Sequence, residues 1–130
     1  MGLAERRKIQ ELETGVLPGR VSEIEEICGV AIPYDVDWDS FDGDAAGLNF
    51  VDNLSCHRLN MALRVICADD LGKEAVRDTV KKVHLRNVRD SGDKSLGFAD
   101  GVLDMTCAYA LGLDGAFSDD EIRTVLMEHL

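Results

Sequence analysis

Hydrophobic positions recur along this chain with two periods, and the switches between them mark out its elements. Leu3, Ile9, Leu12 and Val16 keep helical spacing, while Glu5, Arg6, Arg7, Lys8, Glu11 and Glu13 fill the opposite face. Pro18-Gly19 is the punctuation expected at the end of that helix. Val21, Ile24 and Ile27 or Cys28 then predict a second short helix over Arg20–Cys28, with Gly29 as its C-terminal cap. The expectation for residues 1–29 is a helical hairpin, with Glu23, Glu25 and Glu26 exposed.

At Pro33 helix formation stops and the period falls to two. Tyr34, Val36 and Trp38 alternate with Asp35, Asp37 and Asp39. That alternation predicts a strand over Ile32–Trp38 with one apolar face and one carboxylate face. Residues 30–53 read as this acidic strand and a loop. Helical spacing returns over Leu54–Ala68, where Leu59, Ala62, Leu63 and Ile66 share a broad apolar face. Asp69-Asp70 interrupts it, and the second Asp can cap the next helix, Leu71 to Lys82. Residues 54–82 are thus expected to be two core helices.

VHLRNVRD predicts a strand and DSGDK a turn. Leu96–Ala99, Asp100-Gly101 and Val102–Ala110 predict a hairpin with a primed turn. Leu103, Met105, Cys107 and Tyr109 would share one face. A helix is the rival reading for 102–111, because that stretch is apolar nearly all round. Residues 83–111 therefore read as a β-meander. Ser118 to Glu121 is a capping box, and Ile122, Val125 and Leu126 line a final helix within 118–130. Helices come first, strands cluster late and a helix closes the chain. The fold expected is a single α+β domain, an antiparallel sheet of about three to five strands covered by helices.

Composition agrees with that class. Hydrophobic residues make up 45% of 130 and charged residues 30%, the balance of one domain with a real core. No apolar run approaches the length of a membrane span. Residues 1–10 are charged and lack the apolar region of a secretory signal. The expectation is a cytoplasmic protein that engages no membrane. The four cysteines, Cys28, Cys56, Cys67 and Cys107, lie among apolar neighbours and show no C-x-x-C spacing. Buried free thiols are expected.

Charge is spread unevenly along the chain. The formal net charge is −11, yet residues 54–94 hold nine basic residues against six acids, a net of +3 that leaves −14 for the rest. Long-range repulsion on this scale argues against nucleic acid as a partner. Asp35, Asp37, Asp39, Asp42 and Asp44 fall within ten residues, and no Lys or Arg occurs between Tyr34 and Asn53. Uncompensated carboxylates suit a hard cation or a basic partner. An EF-hand loop fits only at its start. Asp35, Asp37 and Asp39 take its first three ligand positions, but Ser40 stands where the turn needs glycine and Ala46 where a bidentate glutamate should close the site. No metal or cofactor is therefore expected. Trp38 and Phe41 are the aromatic anchors within the acidic stretch.

Other candidates are weaker. Cys56-His57 is the one adjacent thiol–imidazole pair, but neighbouring helical residues point about 100° apart, a poor geometry for activation. Lys73, Arg77 and Lys81 form a basic row at i+4 spacing, which Arg86 and Arg89 extend. No Walker, nucleophile-elbow, HExxH or dinucleotide glycine pattern is present. The leading expectation is a non-catalytic protein-binding module, inhibitor-like or adaptor-like, that uses Asp35–Asp44 with Trp38 and Phe41 against a basic protein. Homo-oligomerisation stays open. The alternative is a small enzyme or a ligand- or metal-binding protein with a site between the sheet and the 54–68 helix, where the acidic string or His57, Asn60 and Arg64 would supply the polar groups.

Overall fold

A computed structural model describes residues 1–130. Helix α1 (Leu3–Glu11) passes through a π-helical turn (Leu12–Val16) into α2 (Leu17–Cys28) without leaving helical geometry. The expected hairpin is one continuous rod. Pro18 does not break it, because Pro18 falls in the first turn of α2, directly after the widened turn. There the Leu17 N–H reaches back five residues to the Leu12 carbonyl. Gly29, left-handed at φ 77°, ends α2 and donates to the Glu25 carbonyl.

Strand β1 (Tyr34–Asp37) follows, then 3-10 turns at Trp38–Phe41 and Ala45–Asn49. A π-helical turn (Asp52–Cys56) leads into α3 (His57–Ile66), and α4 is Asp70–Thr79. Asp69 rather than Asp70 caps α4, accepting from the Gly72 N–H at 2.7 Å. Gly72 is required there, since a Cβ would stand 1.7 Å from the Ile66 carbonyl oxygen. Strand β2 is Lys82–Asn87, β3 is Ser95–Ala99, β4 is Val102–Cys107 and α5 is Asp119–Met127. Asp100 and Gly101, both at positive φ (52° and 80°), make the primed turn between β3 and β4. Ser118 and Glu121 form the full capping box of α5.

The sheet is mixed, not antiparallel. Its order is β1-β2-β4-β3, with β1–β2 and β2–β4 parallel and only β3–β4 antiparallel. The 83–111 meander is corrected too, because β4 enters between β2 and β3. The cause is the connection. Helices α3 and α4 separate β1 from β2, and a crossover of that length delivers parallel strands. Val83, Leu85, Leu103 and Met105 point to one face and are buried. They belong to one core of 26 buried residues, which makes the chain a single α+β domain. The opposite face is open, with Asp35, Arg86 and Asp104 exposed on it. No helix is long and apolar enough to cross a membrane.

Candidate functional site

The alternation read from residues 34–38 holds in space. Tyr34 and Val36 align with buried Val83 and Leu85, whereas Asp35 and Asp37 align with His84 and Arg86 on the open face. The charge reading changes, however. Strand β2 supplies the cations that the local sequence lacks: Lys82 Nζ lies 3.7 Å from Asp35 Oδ2, and Arg86 stands across from Asp37. His84 Nδ1 lies 2.7 Å from Asp104 Oδ1 in the same row. The Asp42 carboxylate lies 3.4 Å from the Met1 amino group, and its carbonyl accepts from Arg89. Asp44 accepts from the buried Asn87 amide at 2.8 Å and so belongs to the scaffold. Asp39 is exposed without an ion-pair partner. These carboxylates are splayed along a strand and two turns, and no three Asp, Glu, His or Cys side chains are placed to hold a metal ion.

The two aromatic residues part company. Phe41 is 1% exposed and stacks on Tyr109 at 5.6 Å, so it is core and presents nothing to a partner. Trp38 is half-buried, 6.0 Å from Phe41, and its outer side faces a cleft. That cleft, of about 570 Å3, lies between α2 and β1. Leu17, Pro18 and Val21 form one wall, and Tyr34, Val36 and Trp38 the other. Its only charged groups are Glu13 and Asp35. β1 is an edge strand. The Val83 N–H donates to the Pro33 carbonyl, so the pleat turns the backbone groups of odd-numbered Asp35 and Asp37 toward β2. Those of Tyr34 and Val36 face outward, where no strand pairs with them.

The trio His57, Asn60 and Arg64 does not assemble. His57 and Arg64 are exposed, while Asn60 is 1% exposed and faces α2. Asn60 Nδ2 donates to Glu23 at 2.7 Å, and Arg20 grips Asp52 through both oxygens at 2.7 and 3.0 Å while reaching Glu23 at 3.0 Å. Hydrogen bonds from Asn60 and then Arg20 hold the Glu23 carboxyl below its ordinary range. The Asp52 contact keeps Arg20 firmly protonated. This clamp ties α2 to the turn before α3. It joins residues 32 positions apart, so no local pattern announces it.

All four thiols are free and buried. Burial pushes Cys56 up to about 12, so its thiolate is suppressed at neutral pH, and the Tyr34 hydroxyl packs beside it. Cys28 and Cys67 also sit in contact, with burial raising both. Tyr109, missed as a polar residue by its apolar neighbourhood, joins its hydroxyl to Ser55 Oγ at 2.7 Å. Of the basic row, Lys73 and Arg77 lie on α4, while Lys81 falls past its end and donates through Nζ to the Arg77 carbonyl. The clefts lie at the surface, and none of the principal ones opens between the sheet and α3. Comparison with known proteins finds no matching family model, no matching curated protein and no matching solved structure.

Proposed function

We propose that this chain is a non-catalytic protein-binding module for a basic partner, with the cleft between α2 and β1 as the centre of its contact surface. The observation that carries the reading is the combination found there. An apolar trough with a half-buried tryptophan lies against an unpaired sheet edge, and its only charges are carboxylates. Binding energy concentrates in apolar and aromatic anchors, and like-signed rim charges steer a partner of opposite sign. Trp38 is the anchor. Glu13, Asp35, Asp37 and Asp39 are the steering charges. Phe41 and Asp44 support the surface from within and do not form part of it.

The test is capture from a lysate of the source cells on immobilised wild-type chain and, in parallel, on Val21→Lys. This variant puts a cation in the trough at a partly exposed helix position, where the fold tolerates it. A partner that binds wild type, elutes with salt and fails to bind Val21→Lys is the expected result. An identical set of proteins on both columns contradicts the reading.

A further inference from the structure

We infer that the occupant of this cleft is an extended segment that adds to β1 as a fifth strand, with apolar residues alternating with Lys or Arg. The inference rests on the binding-module reading and specifies its ligand. Strand addition needs an edge whose backbone groups are free, and two faces of different chemistry that sort alternate side chains. Both are present. The outward N–H and C=O of Tyr34 and Val36 form the free edge. An added strand would send every second side chain toward the trough, beside Val36, Leu17 and Val21. The side chains between would lie on the open face beside Asp35 and Asp37, continuing the rows that run across the sheet.

The inner neighbour of β1 displays the pattern this edge accepts. In β2, Val83 and Leu85 pack to the core beside Tyr34 and Val36, while Lys82, His84 and Arg86 lie beside Asp35 and Asp37. The outer side of β1 presents the same alternation, because a strand shows one set of side chains to both neighbours. Charge also selects against a second copy of this chain. Edge-to-edge pairing of two β1 strands would set Asp35 and Asp37 against each other in molecules that each carry −11.

The probe is a capped synthetic peptide with the sequence of residues 81–88, KKVHLRNV, titrated into the full chain. Amide hydrogen exchange at Tyr34 and Val36 should slow at least tenfold in the complex, while β2 amides keep their existing protection. The peptide with its basic residues replaced by glutamate should bind at least tenfold more weakly. Two further peptides carry N-methyl groups on odd or on even residues. Only one of the two should lose binding, since a strand turns alternate amides to its neighbour. Val36→Pro removes an outward N–H and leaves the β1–β2 ladder intact, so it should weaken binding while preserving the thermal transition. Absence of binding at millimolar peptide, equal binding of the glutamate peptide, or equal behaviour of the two methylated peptides overturns the inference. If a partner still distinguishes wild type from Val21→Lys on the column, the binding module stands and strand addition alone falls.

Discussion

At the scale of single residues, burial decides which polar groups have consequences. Cys56 ionises at an ordinary pKa of 9.0 when unfolded and near 12 when folded. A raised folded value means that its contribution is whole below pH 9.0 and is lost as pH climbs toward 12. The loss should be about 1.4 kcal/mol per pH unit in that window. Urea midpoints measured at several pH values should therefore fall steeply above 9, and Cys56→Ala should flatten the slope by about one proton. An unchanged slope would mean that Cys56 ionises freely in the folded chain. Asn87 is the second such residue. Its side chain donates to the Ser40 carbonyl and to Asp44, and accepts from the Tyr109 N–H. Asn87→Ala strands these partners in a buried place and should cost about 2–4 kcal/mol by denaturant titration. A cost under about 1 kcal/mol would show that water replaces the amide there. The burial of Cys56 was legible in its apolar neighbours, but the Asn87 network was not, because Asn87 sits in an ordinary strand pattern and its partners are 22 to 47 residues away.

At the scale of elements, local chemistry was readable and long-range pairing was not. Asp100-Gly101 marked its primed turn and Ser118 its cap, because both signals act within four residues. The alternation of Tyr34 and Val36 with Asp35 and Asp37 correctly sorted the two faces of β1. Trp38 broke the pattern by opening a 3-10 turn, which leaves it half-buried at the cleft. Pro18 misled because its missing N–H costs little in a first turn. The parallel pairing of β1 with β2 had a signal that local reading overlooked: two helices in the connection rule out a hairpin. The tight junction of α3 and α4 gives a sharp test of the element packing. Gly72→Ala would drive a methyl into the Ile66 carbonyl, which is backbone and cannot rotate away. It should cost about 2–3 kcal/mol in thermal or chemical unfolding. A neutral result would mean that the two helices are set further apart.

At the scale of the whole molecule, charge and topology meet on one side. The chain carries −11, but β2 lays Lys82 and Arg86 beside the acidic strand, so the negative surface is narrower than the sequence suggested. Around the cleft, Asp37, Asp39 and, at its lip, Glu13 keep no ion-pair partner. Net repulsion should still be felt. Raising salt from low to moderate concentration should raise the melting temperature through screening, and Asp37→Asn should change stability by no more than about 0.5 kcal/mol. A fall in melting temperature with salt would show that the ion pairs with β2 outweigh the repulsion. If this acidic, apolar-floored edge receives a basic partner, the association kinetics carry its signature. Stopped-flow mixing of the captured partner with wild type and with a Glu13→Gln, Asp35→Asn, Asp39→Asn triple variant separates steering from anchoring. Association should slow about tenfold in the variant at low salt, with dissociation nearly unchanged and the difference erased by added salt. An association rate that is the same for both proteins at low salt would contradict it.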